Sequence, residues 1–303
     1  MARLADALQR ANLTRAEHER PKPAAPIDPP SAPSRPRVER PPAATGHSPL
    51  LAFPDGQPLM PRWRTDPELV GKLVGTEDVS SGALEQYRKL AATLHHTQEE
   101  RGIQVVMTAS SLPSEGKSLT AANLALTFSE SYQRRVLLVD ADLRRPTIQR
   151  LFNVATIDGL DEGLKATEDR VMALTRLSER LWVLPAGRPD PDPLSGLASE
   201  RMRRLIAEAR ARFDWVIIDT PPVSLLPDAN LLANNVDGVL LVVRAGKAPY
   251  QLVKRTVETI GHERILGIVM NAVDFRHDRN AGGYYEYYGY GYGYGSYGAS
   301  KKK

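Results

Sequence analysis

The 303-residue sequence contains no cysteine. This absence excludes disulfide bonds, thiolate zinc sites and iron–sulfur clusters, and it is compatible with a reducing cytoplasm. The sequence also has no apolar run near the roughly 18–20 residues that span a bilayer, and its charged N-terminus does not match a signal peptide. We therefore expect a cytoplasmic protein that reaches the inner face of a membrane only through a partner.

Positive charge is only slightly in excess, at a net +4. That excess is small for a nucleic-acid-binding protein. Much of it lies in the Arg-rich first forty residues and in the three lysines at 301–303, and terminal charge runs of this kind are typical of solvated tails. The sequence therefore predicts no nucleic-acid partner.

The N-terminal part of the chain differs in composition from the rest. Residues 2–20 predict a short helix, which either docks a partner or frays, and residues 21–61 are crowded with proline, alanine and arginine. Such a segment buries too little apolar surface to offset its ordering entropy, so we expect it to be disordered or extended. We divide the chain into an extension over 1–63, a folded domain over 64–280 and a tail over 281–303.

Within the folded domain, short apolar runs alternate with amphipathic helices. The helices are predicted over residues 81–102, 198–213 and 249–261. The apolar runs are rich in valine and isoleucine without polar alternation, as in strands covered on both faces; they lie at 103–110, 134–142, 181–187, 215–222, 237–246 and 265–274. This alternation predicts an α/β fold with a mostly parallel sheet and helices on both faces. Such sheets bind ligands at the carboxyl ends of their strands.

The segment SSLPSEGKS, residues 110–118, lies between a predicted strand and a predicted helix, which is the context of a phosphate-binding P-loop. Free backbone N–H groups and the helix dipole favour phosphate there. Lys117 adds a charge for the β and γ oxygens, Ser118 offers a hydroxyl to Mg²⁺, and Gly116 permits close approach. Ser111 replaces the usual opening glycine. The predicted nucleotide-binding residues are Ser114, Glu115, Gly116, Lys117, Ser118 and Leu119.

Three aspartates follow predicted strands. Asp140 and Asp142 belong to VLLVDADLRRP, and Asp219 belongs to WVIIDTPP. Because the carboxyl ends of parallel strands share one edge, we expect these carboxylates beside the P-loop. Mg²⁺ needs only one or two carboxylates besides phosphate oxygens, so another carboxylate is left to orient or deprotonate a nucleophile.

Taken together, the P-loop, LLVDADLR and VIIDTPP resemble the bacterial tyrosine kinases, over roughly residues 78 to 274 and the tail. The resemblance implies ATP-dependent autophosphorylation of a C-terminal tyrosine cluster, and regulation of capsule or exopolysaccharide polymerisation and export. It implies ATP and Mg²⁺ as cofactors, and it makes Lys117, Asp140 and Asp142 the catalytic candidates. It also implies Ser118, Asp142 and Asp219 around Mg²⁺, Asp140 as the group that activates the tyrosine hydroxyl, and Asn271 at the nucleobase. The division of roles between Asp140 and Asp142 stays open.

The tail is rich in tyrosine interleaved with glycine. Such a repeat alone is typical of low-complexity segments, but after a kinase-like domain it predicts a phosphoacceptor to which each phosphate adds about −1.5 to −2 charge. So short a tail does not bring every tyrosine within reach of its own chain's site, so we expect transfer between chains of a homo-oligomer. The predicted acceptors are Tyr284, Tyr285, Tyr287, Tyr288, Tyr290, Tyr292, Tyr294 and Tyr297.

Further partners follow from the resemblance. Many members fuse the kinase to a transmembrane chain-length regulator, and this sequence resembles the separate type, which implies a membrane adaptor in trans and a tyrosine phosphatase. Members often carry Glu-x-x-Arg-x-x-Arg on the helix before the first strand, for ring assembly. Here Glu85 and Arg88 are present but Ala91 replaces the last arginine, so ring assembly and an ordinary packed helix both stay open.

Two other functions compete with the kinase hypothesis. A partition-type P-loop ATPase would carry a lysine near the start of the loop, where Leu112 stands, and would leave the tyrosines unexplained. A nucleotide-binding scaffold without activity would not need Lys117 together with the three aspartates.

Four side chains near the predicted cleft have two interpretations each. Arg144 either steadies charge nearby or pairs with an acid on the surface. Asn271 is either a nucleobase contact or a buried strand-end residue. Arg244 and Lys247 either line the cleft or are solvated.

Overall fold

The computed structural model describes residues 49–53, 71–76, 79–154, 158–166, 170–223 and 228–273. The strands of this part, in chain order, are β1 (Leu51–Ala52), β2 (Val105–Ser110), β3 (Val136–Asp140), β4 (Met172–Ala173), β5 (Thr175–Arg176), β6 (Leu181–Leu184), β7 (Trp215–Asp219), β8 (Gly238–Arg244) and β9 (Ile265–Asn271). Its α-helices are α1 (Ser81–Arg101), α2 (Lys117–Glu130), α3 (Ile148–Leu151), α4 (Leu160–Lys165), α5 (Leu194–Leu197), α6 (Glu200–Arg212), α7 (Asp228–Ala233) and α8 (Tyr250–Ile260). The predicted helix over 2–20 and the tyrosine tail lie outside the described residues.

Seven strands form one sheet in the order β5-β6-β3-β7-β2-β8-β9. Neighbouring strands are parallel, except that β5 is antiparallel to β6. The predicted α/β fold with a mostly parallel sheet is therefore confirmed. The strand β2 leads into the P-loop and lies between β7 and β8. The P-loop therefore begins at a central strand and not at an edge of the sheet.

Both faces of the sheet are covered, because successive strand residues point to opposite sides. On one side, Val106 and Ile217 pack with residues of α1 and α2. On the other side, Met107 and Ile218 pack with residues of α6 and α7. Every residue of β2, β3 and β7 is buried, which explains why these runs show no polar alternation. No helix among the described residues is long and apolar enough to cross a membrane.

Helix α1 begins and ends where its sequence predicts. The Ser80 hydroxyl accepts a hydrogen bond from the Ala83 N–H at 3.2 Å, and Gly102 ends the helix with a φ of 71°. Such polar N-caps and left-handed glycine C-caps satisfy backbone groups that the helix leaves unpaired. Ala91 and Leu94 are buried against the core. The position at which the sequence departs from the family pattern is thus a buried one.

Residues 49–53 lie within the segment predicted to be disordered or extended, and the structure shows them packed against the folded domain. Leu50 and Leu51 are buried, and β1 pairs in parallel with β4. The Leu50 and Leu51 N–H groups donate to the Glu208 carboxylate at 2.6 and 3.2 Å. This short apolar stretch is therefore held by backbone pairing to a distant part of the chain.

The prediction that the 265–274 run is buried on both faces is wrong. In the described structure β9 pairs with β8 alone and lies at the edge of the sheet. Ile268 and Met270 are 52% and 56% exposed. The difference arises because strand order, which a local apolar pattern does not encode, decides which strand is covered.

The ion pair between Arg210 and Asp237 lies at the end of the strands opposite to the P-loop. It predicts that the stability of the fold is sensitive to acid. Burial alone would raise the pKa of Asp237, but hydrogen bonds from Arg210 and from the Val105 and Gln104 N–H groups outweigh burial and hold that pKa below its usual value. The stabilisation is therefore present above the unfolded-state pKa of about 3.9 and is lost as the pH falls through the lower folded-state pKa.

We expect Asp237→Asn to lower the free energy of unfolding at neutral pH by about 1–2 kcal/mol and to flatten its decline at acid pH. The measurement is urea unfolding at a series of pH values. Asp158→Asn, at an exposed carboxylate, serves as the control. An Asp237→Asn curve that runs parallel to the wild-type curve down to pH 3 would contradict this role.

Candidate active site

The P-loop joins β2 to α2 with a strained backbone. Ser114 has a φ of 63° and Gly116 a φ of 98°, both in the left-handed region that favours glycine. The Glu115 carboxylate accepts the Leu112 N–H at 2.7 Å and the Arg244 N–H at 3.3 Å. The loop is therefore fastened from inside, to itself and to the end of β8.

Two residues predicted to contact the nucleotide also contact the loop itself. Glu115 is fully buried, and its side chain forms the internal hydrogen bonds given above. The Asn271 amide, at the end of β9, donates to the Glu115 carbonyl at 2.8 Å. Its side chain thus fixes the loop to the edge strand, and the nucleobase contact of Asn271 stays a prediction.

Lys117 lies against two of the three predicted carboxylates. Its Nζ is 2.8 Å from Asp142 Oδ2 and 3.6 Å from Asp219 Oδ1, and 3.3 Å from the Ser118 hydroxyl. Burial alone would lower the pKa of Lys117, but the charges of Asp219 and Asp142 outweigh it and raise that pKa above its usual value. The Lys117 ammonium is therefore a buried cation at the N-terminus of α2.

The strand register places Asp140 and Asp219 side by side, as partners on β3 and β7. Both are fully buried. Thr108 on the neighbouring β2 donates to Asp219 Oδ1 at 3.4 Å, while Asp219 Oδ2 is buried with no hydrogen-bond partner among the described residues. A buried carboxylate oxygen without a donor is suited to a cation, because unpaired buried acceptors are otherwise costly.

Asp140 has a different environment from Asp142. Its Oδ2 accepts the Thr147 and Ile148 N–H groups, each at 2.9 Å, and its Oδ1 accepts the Asp142 N–H at 3.2 Å. Burial and the Asp219 charge raise the pKa of Asp140 to about 8, although the N–H groups of Ile148 and Thr147 act to lower that pKa. Asp142, in contrast, lines the cleft and contacts Lys117.

The cleft in front of the P-loop has a volume of about 590 Å³. It is lined by Pro113, Ser114, Gly116, Lys117, Ser118, Leu119, Asp142, Arg144, Arg145, Thr147, Leu151, Pro221 and Pro222. Five of the six predicted nucleotide-binding residues thus line one cavity, and Glu115 supports it from behind. No group of three or more His, Cys, Asp or Glu side chains that could hold a metal occurs in the described ranges. A magnesium site here would therefore depend on the Ser118 hydroxyl and on phosphate oxygens as well as on carboxylates.

Two arginines follow Asp142, and only one is held by an acid. Arg144 also lines the cleft and donates to both oxygens of Asp228, at 2.8 and 3.4 Å; this acid is buried and not on the surface, and a role of Arg144 in steadying charge nearby stays a prediction. Arg145 lines the cleft, and its guanidinium has no ion pair to the described residues. Sequence analysis overlooked Arg145, although its place in DLRRP, three residues after Asp142, was a usable signal. The side chains of Arg244 and Lys247 are exposed.

Gly116 gives a prediction that the geometry makes specific. A Cβ at this position would lie 1.9 Å from Asn271 Nδ2, and the left-handed backbone adds about 1–2 kcal/mol of strain for a non-glycine residue. We expect Gly116→Ala to weaken nucleotide binding by about tenfold or more, measured by titration with a fluorescent ATP analogue. The double variant with Asn271→Ala should recover part of the loss, because the amide is then absent. Equal losses in the single and double variants would show that the contact with Asn271 is not the cause.

Known proteins of similar sequence agree with the chemistry of the cleft. No protein-family model matches the chain. The chain is 37% identical over 190 residues to the tyrosine-protein kinase YwqD of Bacillus subtilis, covering 62% of this chain and 80% of that protein. It is 35% identical over 204 residues to the succinoglycan biosynthesis transport protein ExoP of Rhizobium meliloti, which covers 64% of this chain but only 25% of that longer protein.

A solved structure agrees with these sequence relationships. The kinase domain of the Escherichia coli tyrosine kinase ETK superimposes with a TM-score of 0.61 at 30% identity, over 72% of this chain and 83% of that domain.

Proposed function

The chain belongs to the bacterial tyrosine kinases, and we propose that it transfers the γ-phosphoryl group of ATP to the tyrosines of its own C-terminal tail. It is a protein-tyrosine kinase with a P-loop nucleotide site. The observation that carries the proposal is the contact of Lys117 with Asp142 and Asp219 at one end of the cleft. A cation and two carboxylates at a helix N-terminus provide both charge for a triphosphate and a base for a hydroxyl.

Each cleft residue has a role in this proposal. The P-loop N–H groups and Lys117 bind the β and γ phosphates. Asp142 accepts the proton of the tyrosine hydroxyl, the phenolic oxygen bonds to the γ phosphorus, and the bond from that phosphorus to the β–γ bridging oxygen breaks, leaving ADP. Asp142 is the base in this proposal because it lines the cleft, whereas Asp140 is fully buried and its two oxygens accept three backbone N–H groups. Asp140 then holds Asp142 and the start of α3 in position.

The donor set suits Mg²⁺. Ser118 and the unpaired Oδ2 of Asp219 would hold it together with phosphate oxygens, and oxygen ligands of this kind are what Mg²⁺ prefers; Asp142 is then left to act as the base. When bound, the ion would neutralise charge on the phosphates and favour in-line transfer.

The biological setting is proposed from the relatives. ExoP is named for succinoglycan biosynthesis and transport, and the chain matches a quarter of it. We infer that this kinase regulates polymerisation and export of an exopolysaccharide or capsule. It would be activated by a membrane adaptor in trans at the inner face of the membrane, act as a homo-oligomer, and be reversed by a tyrosine phosphatase.

Incubation with γ-labelled ATP and Mg²⁺ tests the proposed activity. We expect label on tyrosine in the wild-type chain, and none in a variant whose eight tail tyrosines are all changed to phenylalanine (the all-Phe variant). The cytoplasmic segment of an adaptor is added in a parallel sample, because an isolated kinase can be weakly active. Hydrolysis of ATP without labelled protein would favour a partition-type ATPase. Label that appears only with another kinase would favour a scaffold.

Mixing two inactive variants tests transfer between chains. Lys117→Met retains its tail but lacks the proposed phosphate ligand, whereas the all-Phe variant retains the cleft but lacks acceptors. We expect strong label on the Lys117→Met chain when the two are mixed, and background label on either alone. Gel mobility separates the chains when one carries a tag. An unlabelled mixture, alongside an active wild type, would show that transfer occurs within one chain.

A further inference from the structure

A second cavity lies between α1 and the edge strand β9, outside the phosphate-binding cleft. Its volume is about 940 Å³, larger than that of the cleft. We name it the α1–β9 groove. Its walls include Tyr87 and Leu90 on α1, and Ile268, Met270 and Val273 on or after β9. None of these residues has a role in the proposed phosphoryl transfer.

The groove exposes an unusual amount of apolar side chain. Ile268 and Met270 are more than half exposed, and Val273 is 38% exposed. Because they are two residues apart on a strand, Ile268 and Met270 point to the same face of the sheet. Exposed apolar patches of this kind mark interaction sites, and an uncovered apolar edge strand is a liability that folded proteins cover.

The position where the described chain ends indicates the occupant. Val273, the last described residue, lines the groove itself, and residues 274–303 follow it in sequence. Tyr284 is eleven residues beyond Val273, which is up to about 36–40 Å of extended chain. The tyrosines therefore have enough length to turn back into the groove. Tethering gives them a high effective concentration there.

The chemistry of the tail matches the walls of the groove. Its tyrosines offer aromatic rings, and methionine sulfur makes favourable contacts with such rings. Lys89 contributes the one charged side chain among the described residues that line the groove. We propose that the unphosphorylated tyrosine tail of the same chain docks in the α1–β9 groove, and that phosphorylation releases it.

The release follows from charge. Each phosphate adds about −1.5 to −2 charge at neutral pH, and a groove whose described walls carry apolar side chains and a single lysine does not compensate several such groups. The groove thus stores unmodified acceptors beside the P-loop, since Asn271 both lines the groove and donates to Glu115. The release, but not the docking, rests on the proposed autophosphorylation.

Methyl NMR of the full chain tests the docking directly. The Met270 methyl is the reporter and the buried Met107 methyl is the internal reference. Docked aromatic rings should displace the Met270 resonance in the wild type and in the all-Phe variant. Changing the eight tail tyrosines to serine should return it to an undocked position. Incubation with ATP and Mg²⁺ should move the wild-type resonance to that same position and leave the all-Phe resonance unchanged.

Each result separates docking from kinase activity. A Met270 resonance that is the same with tyrosine, phenylalanine and serine tails overturns the docking, whatever the activity. A displaced resonance that varies with protein concentration shows a tail or surface of a second copy, and overturns docking within one chain. If ATP yields no phosphotyrosine while the displacement persists, docking stands and the proposed function fails. A displacement that persists in a fully phosphorylated chain overturns the release.

Protease sensitivity gives an independent test. We expect Met270→Asp to speed chymotryptic cleavage of the tail severalfold, because a charge in the groove excludes the rings. Val171→Asp, at another exposed apolar position, should leave the rate at the wild-type value. Equal rates in all three chains overturn the docking.

Discussion

Replacement of Lys117 with methionine should reduce tyrosine labelling by roughly 10²–10³-fold, the loss typical when one preorganised charge is removed from a transferring group. Methionine matches the length of the lysine stem but carries no charge. The ammonium lies 2.8 Å from Asp142 Oδ2, so the change also leaves two buried carboxylates without their cation. We therefore expect a loss in kcat as well as weaker ATP binding, measured by initial rates with γ-labelled ATP.

The matched control for this loss is Lys254→Met. Lys254 is an exposed residue of α8 whose partner is Glu258 on the same helix, so its removal should leave the labelling rate within about twofold, as surface ion pairs contribute little. Unfolding midpoints of both variants separate a catalytic loss from a structural one. A Lys117→Met chain that labels its tyrosines at the wild-type rate would remove the basis of the proposed mechanism.

The largest expected effect on stability is at Trp215, the first residue of β7. Its ring is fully buried and stacks on Phe128 of α2, with centroids 4.3 Å apart and planes 16° from parallel. Truncation to alanine leaves a large cavity between the sheet and the helix that follows the P-loop. We expect Trp215→Ala to lower the free energy of unfolding by about 3–5 kcal/mol, measured by urea denaturation.

Trp215→Phe is the conservative counterpart. Within the described part of the chain, the indole Nε1 has no hydrogen-bond partner, so phenylalanine removes no polar contact and retains the stack. Its cost should be about 1–2 kcal/mol, for the atoms lost. Equal costs for alanine and phenylalanine would mean that the retained stack on Phe128 does not stabilise this site.

The central elements could be predicted because their signals are local. The P-loop strand, its helix and the aspartates after β3 and β7 each combine a buried apolar run with a polar residue at its end. In parallel strands those ends share an edge, so Lys117, Asp142 and Asp219 could be expected together. Their separate chemical roles stay predictions.

The features that sequence analysis missed depend on distant partners. Asn271 donates to a carbonyl 156 positions away, and Arg144 pairs with an acid 84 positions away, so neither partner is visible in a local pattern. The two-residue strand β1 is too short to show any periodicity. The exposure of β9 follows from strand order, which local apolarity does not determine.

The place of β2 in the sheet has a consequence for how the domain loses structure. Two strands separate it from one edge and four from the other. Local unfolding that starts at either edge strand reaches the P-loop only after the outer strands have lost their pairing. Amide protons of β2 should therefore exchange with solvent among the slowest in the protein, and nucleotide affinity should outlast fraying of the rim.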